Sequence, residues 1–300
     1  MIWRRPSAGP RLPVMWKPFV LALALFGLPG AAEAKPPVWI VRDADSELVL
    51  FGSIHVLPPG LDWTPPALTE ALRSADDLWF ELPIDPVSEA ETARLAMQTG
   101  LLPAGETLSS LLPAADAARM ARMAERYGVA LPMIDRLQPW YAEVALAQSI
   151  YLRAGGTMES GVEKSVAALA SPDLARRAFE TPAEQVALFN GAPRTAQIAS
   201  LRQTLKEMET DPDQFRALIA AWMAGDLKAI DKEAIQPLRE ASPTIYKRFL
   251  TDRNARWTPM LRQRLAGSGR TVVVVGVGHL IGPGGLPARL RALGYSVEGP

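Results

Sequence analysis

Thr271-Val-Val-Val-Val-Gly-Val-Gly-His279 is an apolar run that stops in glycines and then presents a histidine. Four consecutive valines favour a β-strand, and an uninterrupted apolar run suits a central strand covered on both faces, as in an α/β sheet. The run has an echo more than two hundred residues earlier, Leu48-Val-Leu-Phe-Gly-Ser-Ile-His55. The chain contains only two histidines, and each closes a Gly-x-x-His tetrapeptide directly behind a strand-like stretch. With 22 glycines in 300 residues, chance would place glycine three positions before both histidines about once in two hundred chains.

Working outward from the two runs, Val38–Arg42 and Glu47–Phe51 are rich in β-branched and aromatic residues and flank the turn-forming Asp43-Ala-Asp-Ser46, which predicts a β-hairpin. Thr64 before Pro65 and Pro66 reads as the N-cap of a helix reaching about Ala75. Asp77-Leu-Trp-Phe-Glu-Leu82 then reads as a short third strand. From about 87 to 265 the apolar spacing turns helical, with glycine or proline punctuation. Within that block Leu174–Glu180 reads equally as short strand or helix. After the valine strand, Leu286–Leu293 is a short helix and Tyr295–Glu298 a last strand. The expected fold is therefore α/β, a mixed sheet built from strands at both ends of the chain with a large helical insertion in the middle.

The first 34 residues are set apart from this domain. Arg4, Arg5, Arg11 and Lys17 precede the apolar Phe19–Leu28, and Ala32-Glu33-Ala34 follows, the pattern of a secretory signal peptide cut near Ala34. The apolar core is too short to span a bilayer of roughly 30 Å as a helix, so a membrane role is expected only if the segment is retained. The expectation is an exported protein, periplasmic or extracellular, with residues 35–300 forming one domain. Lysine plus arginine equals aspartate plus glutamate at 32 each, and removing the leader leaves 28 against 31, a net charge of −3. Such a balance argues against a nucleic-acid partner and leaves a peptide or other small substrate as the expected one. The absence of cysteine removes disulfides, thiolate ligands and thiol nucleophiles.

If the two glycine-ended strands run the same way, their imidazoles meet over the carboxyl edge of the sheet, where α/β proteins bind ligands. Glu81 follows the third strand at the same kind of place. Two neutral imidazoles and a carboxylate make a sufficient donor set for a catalytic divalent metal such as Mn²⁺, Co²⁺ or Zn²⁺. Against this stands the plainer reading, in which each residue is a hydrogen-bonded strand-end group. Gly276-Val-Gly-His-Leu-Ile-Gly282 fails as a dinucleotide loop, since its third glycine falls one position late and too little chain follows. Ser53 lacks the glycine flanks of a nucleophile elbow. In Thr251-Asp-Arg-Asn254, helix capping by Thr251 or Asp252 is the commoner role, and Arg253 holding an oxyanion or carboxylate is the functional one. Trp140, Trp222 and Trp257 lie in helical patterns and read as core.

Phe51-Gly-Ser-Ile-His-Val-Leu-Pro58, Trp79-Phe-Glu81, Leu250-Thr-Asp-Arg-Asn254 and Val275-Gly-Val-Gly-His-Leu-Ile-Gly-Pro283 together resemble the TraB/GumN family, which includes the animal Tiki proteases. The resemblance covers nearly the whole chain after the leader. It implies an α/β fold in which His55, His279 and Glu81 bind a divalent metal, with Arg253 matching the family's Asp-Arg-Asn segment. Gly161-Val-Glu163 stands where bacterial members often read Gly-Val-Asp, one methylene shorter. The resemblance implies metal-dependent peptide hydrolysis for the animal branch, and fold alone does not extend that to other members. The expectation is thus an exported metal-dependent hydrolase, most plausibly a peptidase, with Glu163 as base and Arg253 steadying the oxyanion. The alternative is a non-catalytic module that captures a peptide or glycan in the same cleft.

Overall fold

A computed structural model describes residues 35–300; the expected leader at 1–34 lies outside them. Six strands form one sheet: β1 (Val38–Arg42), β2 (Ser46–Ser53), β3 (Asp77–Phe80), β4 (Ala175–Ala178), β5 (Gly269–Gly276) and β6 (Ser296–Glu298), in the order β4-β3-β5-β2-β1-β6. The hairpin pairing of β1 and β2 is antiparallel, as is that of β1 and β6, while β2, β3 and β4 join β5 in one parallel block. The mixed sheet built from both ends of the chain is as the sequence predicts, with one strand, β4, contributed from within the insertion.

The valine run lies in the middle of this block, and its alternation decides how the layers close. Val272 and Val274 pack into a cluster with Leu68 and Leu72 of the helix Pro66–Ser74, Val166 of the helix Val162–Leu169 and Trp222 of the helix Gln214–Ala224. Val273 and Val275 point the other way, onto Trp257, Leu261 and Leu265 of the helix Asp252–Leu265 and Leu286 and Leu290 of the helix Leu286–Ala292. All four valines are fully buried. At about 1.5–3 kcal/mol for each aliphatic side chain removed from water, they anchor both layers. Trp222 donates its indole N–H to the Gly52 carbonyl at 2.8 Å, which fastens the insertion to the end of β2.

One local expectation is corrected and one open alternative is settled. Thr64 does not cap the first helix: Pro65 occupies the N-cap position without a side-chain bond, and Pro66 opens the helix, so Thr64 lies outside it. Leu174–Glu180 resolves as a strand, because β3 offers it a parallel edge, Asp77 to Phe80 pairing with Ala175 to Ala178. The rest of the insertion is helical and has its own core, centred on Leu108, Met120, Leu146, Leu201 and Leu205. No helix among the described residues is long and apolar enough to cross a membrane.

Candidate active site

Four parallel strands end side by side, and each releases a polar residue just beyond its carboxyl end: His55 after β2, His279 after β5, Glu81 after β3 and Glu180 after β4. The register pairs Ser53 with Gly276, so the two Gly-x-x-His segments are offset by one residue and their paths differ. After β5, Val277–His279 forms one 3-10 turn that folds the imidazole under the helix Asp252–Leu265, where its ring lies 4.5 Å from that of Trp257. After β2 the chain stays open, and the His55 side chain is 64% exposed against 4% for His279.

The glycines are needed for approach. A Cβ on Gly52 would sit 3.0 Å from the Val277 Cα, so any side chain there would part the two loops. Beside Gly276, the space a Cβ would fill has Glu81 Oε1 at 3.2 Å, His279 Cδ2 at 3.8 Å and His55 Nε2 at 4.0 Å. The two histidines and the glutamate therefore converge on one point. Gly161 brings a fourth residue: a Cβ there would collide with the His55 carbonyl oxygen, so only glycine fits, and the helix Val162–Leu169 starts there with Glu163 in its first turn.

Each imidazole has its Nδ1 occupied. Asn254 donates through Nδ2 to the carbonyls of His279 and Gly284, at 3.2 and 2.9 Å, so its Oδ1 must accept from His279 Nδ1 at 2.7 Å. The lone pair of His279 is then on Nε2. Glu163 Oε1 lies 2.7 Å from His55 Nδ1 and also accepts from the Ser53 hydroxyl, which turns His55 Nε2 toward Glu81. A carboxylate or amide on the far nitrogen, orienting the near one, is the arrangement that supports metal-binding histidines.

Arg253 fills the centre. Its Nε and Nη2 bond Glu180, Nη2 reaches Glu81 Oε2 at 2.5 Å, and Nη1 sits 3.0 Å from His279 Nε2. Its guanidinium also stacks 4.5 Å from the Trp257 ring. The N-cap role weighed for Thr251 and Asp252 does not hold, because a π-turn over Lys247–Thr251 runs straight into the helix and leaves no free N-terminus there. Asp252 instead pairs with Lys247.

The electrostatics follow from this packing. Burial lowers His279 to about 3, since Arg253 and His55 add to the cost of a proton there and outweigh the pull of Glu81. Burial alone would raise Glu81, but Arg253, the two histidines and the Gly276 N–H, 2.6 Å from Oε1, bring it down to about 2. The Glu163 carboxylate raises His55 to about 9, although water over its open flank screens the pair. Glu163 is itself lowered, its burial outweighed by His55 and by the hydrogen bond from Ser53.

Of the residues singled out from the sequence, the structure brings His55, Glu81, Glu163, Arg253 and His279 into one site. Sequence reasoning missed Glu180, and it read Trp257 only as core and Asn254 only as part of a polar patch. Glu180 stands beside Glu81, its N–H bonded to the Glu81 carbonyl, a position visible only once β4 is known to pair with β3.

His279 Nε2 and Glu81 Oε1 are 3.7 Å apart. Two ligands about 2.1 Å from one metal at tetrahedral angles are separated by roughly 3.4 Å, so this spacing and the Nε2 lone pair fit a metal. Nonetheless, among the described residues no three of His, Cys, Asp and Glu are already gathered around a common metal position. Arg253 Nη1 also stands on the lone pair that a metal would use.

The model of the TraB/PrgY/gumN family matches residues 37–299. A protein called "Uncharacterized protein YbaP" from Escherichia coli (strain K12) is 24% identical over 261 residues, covering 85% of this chain and 92% of the relative. The protein of the same name from Shigella flexneri matches with the same identity and coverage. No solved structure matches the chain.

Proposed function

The chain belongs to the TraB/PrgY/gumN family, and from the geometry of its sheet edge we propose that it is an exported metal-dependent hydrolase, acting on peptide bonds. The observation that carries this reading is the matched pair of imidazoles, each held by Nδ1 and each turning Nε2 toward Glu81. His55, His279 and Glu81 would hold a divalent ion. When bound, that ion supplies an activated water and polarises the scissile carbonyl.

The remaining chemistry belongs to the side chains. Glu163 carries the negative charge that keeps the His55 ring oriented and can accept a proton from the attacking water. His279 stays neutral because burial opposes its protonation, so its Nε2 remains a donor of electrons at neutral pH. Arg253 must withdraw Nη1 from His279 for the ion to bind, while Nε and Nη2 keep it tied to Glu180. The freed Nη1 is then a cation beside the reacting carbonyl, suited to steady an oxyanion.

The experiment is hydrolysis of a mixed peptide library by the purified protein with Mn²⁺, Co²⁺ or Zn²⁺, read by mass spectrometry. Metal-dependent cleavage that disappears in His279→Ala is expected. Equal cleavage in EDTA and in the variant would overturn the proposal.

One observation favours the second reading, a non-catalytic module that captures a peptide or glycan: the His279 lone pair is already satisfied by Arg253. Under it, metal analysis of the wild type and of His55→Ala gives the same low content, and peptides bind without being cut.

A further inference from the structure

A second cavity lies within the helical insertion, bounded by the helices Pro139–Arg153, Arg194–Thr210 and Gln214–Ala224 and by the chain from Glu233 to Phe249. None of the sheet-edge residues His55, Glu81, Glu163, Arg253 or His279 lines it. Its volume of about 310 Å³ is at the small end of the range for small-molecule pockets. The walls are aromatic, with Trp140, Tyr151, Phe189, Phe215 and Phe249 among them.

The polar lining is one-sided. Glu143, Glu207, Asp211 and Glu233 face the cavity, and no lysine, arginine or histidine does. Glu233 has an ion-pair partner in Lys232, at 2.9 Å. Glu143 and Glu207 have none among the described residues. Glu143 Oε1 accepts from the hydroxyls of Ser200 and Thr204 at 2.8 and 2.9 Å, and its Oε2 takes no hydrogen bond from any described residue. Glu207 Oε1 accepts only from Gln203, at 2.7 Å. Burial raises Glu143 to about 7, the hydroxyl bonds opposing it, and raises Glu207 as well. Two carboxylates in a mainly apolar, aromatic space without a cation are costly, and a ligand that brings the cation removes the cost.

We propose that this cavity binds a small organic ammonium, an amine whose apolar body lies against the aromatic walls while Glu143 and Glu207 take its charge. Aromatic faces add a cation–π attraction of the same sense. The site is separate from the proposed hydrolytic centre. Phe249 links the two regions, since it lines the cavity and its carbonyl accepts from Arg253 Nη1 at 3.4 Å.

Calorimetric titration of the purified protein in EDTA tests this independently of hydrolysis. Three probes share one ring system: tryptamine, the neutral indole-3-ethanol and the anionic indole-3-acetate; hexylamine supplies a ring-free ammonium. Tryptamine is expected to bind at least about tenfold more tightly than indole-3-ethanol, with the acetate weakest. Glu143→Gln keeps the acceptor for Ser200 and Thr204, so it should melt no lower than wild type, yet lose about tenfold in tryptamine affinity. Should that variant not fold, Glu207→Gln and the cavity-filling Ala147→Trp give the same reading. Equal binding of the three indoles, no binding of either amine, or unchanged tryptamine affinity in the folded variants would each overturn the proposal.

Discussion

The two Gly-x-x-His segments carry the same four-residue pattern and opposite physics. His279 is folded into the protein by a 3-10 turn, is held by an amide and is lowered to about 3. His55 stays at the surface, is held by a carboxylate and is raised to about 9. A local motif therefore places an imidazole at the sheet edge, but the element that covers it decides its charge. One half is a buried, rigid donor; the other is an exposed ring that exchanges protons with water. That asymmetry suits the proposed metal site, in which one ligand is already deprotonated and waits only on Arg253, while the other would be released from a proton by the metal.

The largest expected effect comes from the cation on the buried side. Arg253→Ala leaves Glu81 without its cation and Glu180 with only the half-exposed Arg256, and removing one member of a buried charge network costs about 3–5 kcal/mol. Glu163→Ala on the open side removes a pair that water partly screens and leaves the buried Ser53 hydroxyl without its acceptor, at a smaller cost of about 1–2 kcal/mol. Urea denaturation of the two variants measures this, and equal losses would break the comparison.

Next in size is the histidine pair itself. His279→Ala leaves Asn254 Oδ1 unpaired and Arg253 Nη1 with only its long bond to the Phe249 carbonyl, a loss of about 1–3 kcal/mol, whereas His55→Ala changes stability by a few tenths. Metal uptake, read by elemental analysis after dialysis against Zn²⁺, should fall at least about a hundredfold in both, more than the loss of an outer partner would cause. A stability difference with equal metal loss sharpens the asymmetry into one of environment and not of role.

The valine run, its echo and the short third strand were enough to put His55, His279 and Glu81 at strand ends, and the convergence then rested on the condition that the strands run the same way, which their parallel pairing meets. What organises them was not readable locally. Ala175-Arg-Arg-Ala178 has no strand alternation of its own and becomes β4 only by pairing with β3, so Glu180 could not be aligned with Glu81. Glu163 lies 108 residues from His55 and was visible only through family resemblance. Arg253 was read as an oxyanion holder beside a helix start, but its bonds to Glu81, Glu180 and His279, and the role of Asn254, were not legible, since a π-turn leaves no mark in apolar spacing. The contacts that set the charge of each imidazole are thus long-range, while those that set its position are short-range.

The smallest effect is the most direct view of the asymmetry. Because the chain has two histidines, its NMR spectrum contains two imidazole Cε1–H signals to follow with pH. His55, raised above the ordinary 6.5 by Glu163 but partly screened by water, should titrate late, between 6.5 and about 9, and Glu163→Gln should return it toward 6.5. Its pair with Glu163 contributes fully below pH 6.5 and fades as pH rises through about 9. His279 runs the other way: with a folded value near 3, it refuses a proton that the unfolded chain accepts, so stability drains as pH falls from 6.5 toward 3. Glu81, lowered to about 2, adds to that loss below pH 4.5. One signal moving in the alkaline range and one unmoved until strong acid is the expected outcome. Two coincident titrations near 6.5 would mean that neither the Trp257 cover nor the Glu163 carboxylate controls its histidine, and the comparison would fail at its base.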